Sequence, residues 1–258
     1  MVSGKIVPAC MLLLTCVSPL PRVKAEQGHA FETLRVALRL SGDRVPLTLA
    51  LQQLGGAIRG GYVLFGIEIQ TVDRKEPTVN LGIEPGTALG DALRQIFNEV
   101  PGYRVEVISD HLVNIYPATA KGDPNDLLNM LVPRFDVVSQ RAGVILSWPE
   151  RFIPELYQRL AASKTSGSGQ HIDLYVGAVA IGPEITLHLR NVTVRQILNA
   201  VTEASDANAG VEAPVGWECS YEARAAAGRG ALNTWRLLTT LPPDWKEHVQ
   251  KTEENLRR

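Results

Sequence analysis

Five histidines are the first places to look for metal or acid–base chemistry: His29, His111, His171, His188 and His248. None forms H-x-H or H-E-x-x-H, the spacings that set two imidazoles on one face around a metal ion. His188 stands between Leu187 and Leu189. Alternation on a strand turns it away from the core, so it reads as a solvent-facing histidine rather than a ligand. His171 and Asp173 share one strand face, but two side chains are too few for a metal site. Gly167-Ser168-Gly169 lacks the G-x-S-x-G spacing that lifts a nucleophilic serine on a strand–helix turn, and it reads as a flexible tether. The glycines around Ala57-Ile58-Arg59 follow neither G-x-G-x-x-G nor the G-x-x-G of RNA-clamping loops. They are expected to end a helix and open a strand. Glu253-Glu254 sits in a charged stretch and reads as solvated rather than as an acid/base pair. No catalytic residue, cofactor site or metal site is therefore assigned.

Aromatic residues supply the remaining contact candidates. Trp217, Tyr221 and Trp235 fall in late strands of the second half, with Trp148 ahead of Pro149. Such rings either fill a core or anchor a partner or ligand at the surface.

The N-terminus speaks to compartment. Lys5 precedes an apolar stretch over residues 6–20, interrupted by Pro8 and Pro19. A spanning helix needs about 20 apolar residues, so the stretch suits a secretory signal better than a permanent anchor. Val23-Lys24-Ala25 places small residues for cleavage between Ala25 and Glu26. An uncleaved anchor is one alternative. A lipoprotein is another, because Leu13-Leu14-Thr15-Cys16 loosely resembles a lipobox. Cleavage after residue 25 removes three basic residues and no acid, leaving 23 basic against 27 acidic residues, a net of −4. An acidic exported chain disfavours nucleic acid as a partner. Cys10 and Cys16 leave with the signal, and Cys219 alone cannot close an intramolecular disulfide or a zinc site. It is expected to be a small buried apolar residue. With 45% hydrophobic and 21% charged residues, the mature chain has enough apolar material for its own core.

The elements follow from periodicity. Leu34, Val36, Leu38 and Leu40 alternate as a strand. Pro46 opens a helix carrying Leu47, Ala50, Leu51 and Leu54 on one stripe. Residues 62–69 are rich in strand formers, and Val79, Leu81 and Ile83 alternate. Thr87 is expected to cap a helix with Leu89, Leu93, Ile96 and Phe97 inward. Residues 103–108 and 112–116 read as a hairpin. The polar stretch 118–125 is taken as a module boundary. Beyond it the pattern gives a short helix at 126–131, a strand at 135–138, a helix over 149–163 with Ile153, Leu156, Tyr157 and Leu160 inward, and a strand at Ile172, Leu174 and Val176. Ile185, Leu187 and Leu189 then precede Val194, Leu198 and Val201, as Val79, Leu81 and Ile83 precede Leu89, Leu93 and Ile96. Two strand candidates follow each helix, so each half reads βαβ then βαββ, an internal duplication.

The expected architecture is α+β: two small βα modules, each a short mixed sheet backed by two helices. The expected divisions are a signal peptide at 1–25, a first module at 26–118, a diverged second module at 119–243 and a charged tail at 244–258.

The stretch 45–117 resembles the short N-terminal domain shared by secretins and TonB-dependent receptors. The matching features are Ala50-Leu51 with Leu54, Val79-Asn80-Leu81, Thr87-Ala88-Leu89-Gly90-Asp91-Ala92-Leu93, and the closing hairpin 103–116. In that family a short strand precedes a helix whose start reads small/Thr–x–Leu–x–x–Ala–Leu. The second half resembles a diverged copy more weakly, through 185–204. The resemblance implies modules that dock against other envelope proteins and implies no catalytic residues. No long run of β-barrel strands follows, which departs from both parent families.

Together these readings give an exported, non-catalytic interaction module of the periplasm or cell envelope. It would dock partner proteins through a sheet edge and keep no membrane span after cleavage. Two other classes stand beside it. One is a hydrolase assembled from Ser168, His171 and Asp173. The other is a small-molecule binder in a cleft between modules, lined by Trp217, Tyr221 or Trp235.

Overall fold

The computed structural model describes residues 32–73, 75–165, 182–209, 214–224 and 228–239, without the side chains of 162–165 and 221–239. The expected signal segment with Ala25 and Glu26, the expected loop and strand carrying Ser168, His171 and Asp173, and the expected tail 244–258 lie outside these residues.

The first half runs β1 (Leu40–Pro46), α1 (Leu47–Gly56), β2 (Leu64–Thr71), β3 (Thr78–Ile83), α2 (Leu89–Glu99), β4 (Tyr103–Val107) and β5 (Leu112–Pro117). A 3-10 turn (Leu127–Asn129) leads to the second half. There follow β6 (Leu131–Arg141), α3 (Ala142–Ser147), α4 (Pro149–Phe152), α5 (Pro154–Thr165), β7 (Glu184–Thr193), α6 (Val194–Ala207), β8 (Val215–Arg224) and β9 (Gly228–Thr239). The protein is α+β with mixed sheets, and helix-backed βα units are present in both halves.

Each half has its own core. In the first, α1 buries Leu47, Ala50, Leu51 and Leu54, and α2 buries Leu89, Ala92, Leu93 and Ile96. Both stripes lie between the antiparallel β1–β3 pair and the sheet face bearing Phe65, Ile67, Ile69, Val113 and Ile115. In the second, Phe135, Val137 and Ile185 of the β6–β7 pair enclose Ile145, Leu146, Leu156, Ile197, Leu198 and Val201 against Val215, Trp217 and Cys219. Cys219 is 2% exposed, as its expected role requires.

The sheets are divided differently from one per half. A five-stranded sheet runs β4-β5-β2-β8-β9, with β2 parallel to both β5 and β8. The β2–β8 ladder, Gly66↔Trp217 through Thr71↔Glu222, joins the halves by main-chain pairing. The reason lies in the second face of β2 and β5. Gly66, Glu68, Asn114 and Tyr116 turn away from the first core, and the second half covers them, so both strands are buried throughout most of their length. Alternation suggested a face open to water; a sheet covered on both sides is the outcome.

The two halves share a geometric feature. β1 and β6 each carry a register shift before the following helix. Arg44, Gly86, Ser139 and Asn191 all have positive φ, at 52°, 86°, 47° and 51°. They stand at one common spacing before Leu47, Leu89, Ala142 and Val194, the first residues of α1, α2, α3 and α6. The same left-handed turn therefore swings the chain from strand to helix at both junctions of both halves, and three of the four residues accept it without being glycine.

Several local expectations need correction. The strand lies at 40–46 rather than 34–40. Arg35 and Val36 make only isolated bridges, to Ala88 and Ile58, and Leu38 is exposed. Thr87 does not cap α2; its hydroxyl donates to Glu84 O at 2.7 Å, and the cap position falls to Ala88. The helix over 149–163 is broken at Ile153, whose extended backbone precedes Pro154, because a proline disfavours α geometry in the residue before it. Tyr157 is exposed rather than inward.

Candidate functional site: the sheet edge and the polar seam

β4 is a terminal strand of the five-stranded sheet, with β5 on its inner side. Its register with β5 centres on Val105↔Ile115. Ala118 N donates to Gly102 O at 2.7 Å, and Ile108 N donates to Leu112 O at 2.9 Å. Antiparallel ladders alternate, so the even-numbered residues of β4 direct their N–H and C=O groups at β5. Tyr103, Val105 and Val107 therefore turn theirs outward. Val105 is 41% exposed, while Tyr103 and Val107 pack partly against the first core. The Tyr103 hydroxyl accepts from Gln70 N at 3.0 Å, which ties the strand to β2; burial pushes its phenol above the ordinary range, against the opposite pull of that hydrogen bond. On the other face, Glu106 bridges to Lys121 at 2.5 Å, and Arg104 is exposed with no carboxylate partner among the described residues.

The second feature is the seam where α6 crosses the shared sheet. Arg195, Asn199, Thr202 and Asp206 follow one another at helical spacing along α6. Arg195 meets Glu68 of β2 and Asp126 at 3.4 Å, donates to Asn129 Oδ1 at 3.3 Å, and lies 5.2 Å over the Tyr116 ring. Asp126 in turn caps the 3-10 turn by accepting from Leu128 N. Asn199 accepts the Trp217 indole N–H at 3.1 Å. Asp206 accepts the Tyr62 hydroxyl, and burial together with that carboxylate drives the Tyr62 phenol far above its usual range. Both amide atoms of buried Asn114 and the buried Thr202 hydroxyl have no hydrogen-bond partner among the described residues. Gly66 is required here: a Cβ would stand 2.4 Å from Asn114 Oδ1 and 2.5 Å from the Trp217 ring. The seam is polar but packed, and Arg195, Glu68 and Asp126 are sealed from solvent, while Asp206 is half-buried.

A third cluster lies on the outer face of the β6–β7 pair. Asp136 accepts from Arg190 at 2.9 Å, from Arg134, and from His188 at 3.0 Å. These hydrogen bonds, Arg190 first, hold its carboxyl well below the usual carboxylate range. His188 is solvent-facing, as its place between two leucines indicated.

The aromatic candidates separate. Trp217 is 1% exposed and belongs to the second core, so it neither anchors a partner nor lines an open cleft. Tyr221 and Trp235 occupy strand positions on β8 and β9, and their side chains are outside the described residues, as are Ser168, His171 and Asp173. Among the described residues, no group of three His, Cys, Asp or Glu side chains is placed to hold a metal, and no helix is long and apolar enough to cross a membrane. Sequence reasoning passed over Arg195, Glu68 and Asn114. The available signal was a charged or amide residue inside an otherwise apolar strand, as in Ile67-Glu68-Ile69 and Val113-Asn114-Ile115.

No protein-family model, curated protein or solved structure matches the chain, so the resemblance of 45–117 to the secretin and TonB short N-terminal domain rests on its residues alone.

Proposed function

We propose that the chain is an exported, non-catalytic interaction module of the cell envelope, secretin/TonB short N-terminal domain-like in its first half, which docks a partner protein by strand addition along β4. The observation that carries this reading is the outward main chain of Tyr103, Val105 and Val107 on a terminal strand of the five-stranded sheet. A partner segment that completes this ladder gains main-chain hydrogen bonds, while Val105, Arg104 and Glu106 select its side chains. The apolar segment at residues 6–20 supports export, and the motif from Thr87 to Leu93 supports the envelope setting.

The test is capture from envelope extract by the wild-type chain and by Val105→Pro. The Val105 N–H faces away from β5, so proline removes an outward donor and leaves the β4–β5 ladder paired. Partner capture should be lost while the thermal unfolding midpoint stays near wild type. Equal capture by both proteins would rule out β4 as the docking strand.

A further inference from the structure

We propose that the β4 edge is self-complementary and that its occupant is a second copy of this chain, which gives a twofold dimer joined strand to strand. This names the partner for the edge on which the proposed docking function rests. The reasoning starts from the sequence of the strand, Tyr103-Arg104-Val105-Glu106-Val107.

An antiparallel copy placed about a twofold axis at Val105 sets Val105 against Val105 of the partner subunit. Tyr103 then stands opposite Val107 of the partner subunit, and these are the residues whose main-chain groups face outward, so each outward donor meets an outward acceptor. On the opposite face the same register sets Arg104 against Glu106 of the partner subunit, twice over by symmetry. Lys121 already holds Glu106, but a carboxylate accepts several hydrogen bonds and remains open to the guanidinium. The pairing would also bury Val105, which is 41% exposed.

The register is specified by repulsion as well as attraction. Sliding by two residues in one direction sets Arg104 against Arg104 of the partner subunit, and in the other Glu106 against Glu106 of the partner subunit. Sliding by one residue sets outward groups against inward ones. A strand of five residues covers little area, so the dimer is weak and concentration-dependent, at the low end of interface sizes. Self-pairing covers the same main chain that an envelope partner would need, so the two exclude each other.

The experiment is sedimentation of the full chain over a wide concentration range for wild type, Arg104→Glu, Glu106→Arg and an equimolar mixture of the two variants. Wild type should self-associate. Each single variant should lower the association constant about tenfold, because both symmetric pairs become like-charged. The mixture should regain association, since one chain then presents two acids and the other two arginines. Thermal unfolding midpoints near wild type show that the variants are folded. A wild-type chain that stays monomeric throughout, or folded variants whose mixture does not recover, overturns the proposal. If the wild-type chain is monomeric and yet loses an envelope partner through Val105→Pro, the second copy is overturned as occupant and β4 stands as the docking strand.

Discussion

Arg195 is held between two carboxylates, Glu68 and Asp126, with the Tyr116 ring beneath it. All three charges are sealed in the seam between the halves. A buried ion pair is no guarantee of stability, because desolvation offsets much of the attraction. Removing one member is another matter, since the remaining charges lose their partner. Arg195→Met should therefore lower the free energy of unfolding by about 3–5 kcal/mol, measured by urea titration. A loss below about 1 kcal/mol would mean that the two acids are accommodated without the guanidinium. These residues were hard to read in the sequence for a definite reason. Glu68 and Asn114 alternate with isoleucine and valine, which is the pattern of a strand with one wet face. Nothing local says that a later helix will cover that face. Trp217 illustrates the converse: its ring needs the space left by Gly66, a neighbour distant in sequence, and so its burial depends on the tertiary pairing of β2 with β8.

At the scale of elements, helix starts show how far local chemistry reaches. Thr193 accepts from Gln196 N, and Gln196 reaches back to Thr193 N at 2.8 Å, a complete capping box for α6. Before α2 the corresponding place is held by Ala88, and Thr87, one residue further out, bonds backwards to Glu84 O. Thr193→Ala should cost about 1 kcal/mol of stability and Thr87→Ala clearly less, read from thermal unfolding of the two variants. Equal losses would contradict the assignment of the cap to one threonine and not the other. Amphipathic helices such as α1 and α2 were legible because their stripes repeat over several turns. Helix α3 was not: Val144-Ile145-Leu146 is a short apolar run that periodicity cannot tell from a strand. The break at Ile153-Pro154 had a visible cause in the proline, although the flanking stripe reads straight through it.

At the scale of the whole molecule, two cores built from separate halves share a single sheet, and the same left-handed strand-to-helix turn recurs at four junctions. The likeness of the two halves was partly legible, since Ile185, Leu187 and Leu189 echo Val79, Leu81 and Ile83. The sharing of the sheet was not, because parallel pairing between strands about 150 residues apart leaves no local pattern. That sharing also decides which strands end the five-stranded sheet among the described residues: β2 is occupied on both sides, and β4 ends the sheet in the first half as β9 does in the second. Amide hydrogen exchange at Tyr103, Val105 and Val107 tests the docking strand most directly. Their amides should exchange quickly in the dilute chain and become protected on engagement with a partner or a second copy. Engagement that leaves these three amides exchanging freely, with protection gained on the β6–β7 pair instead, would place the docking surface elsewhere.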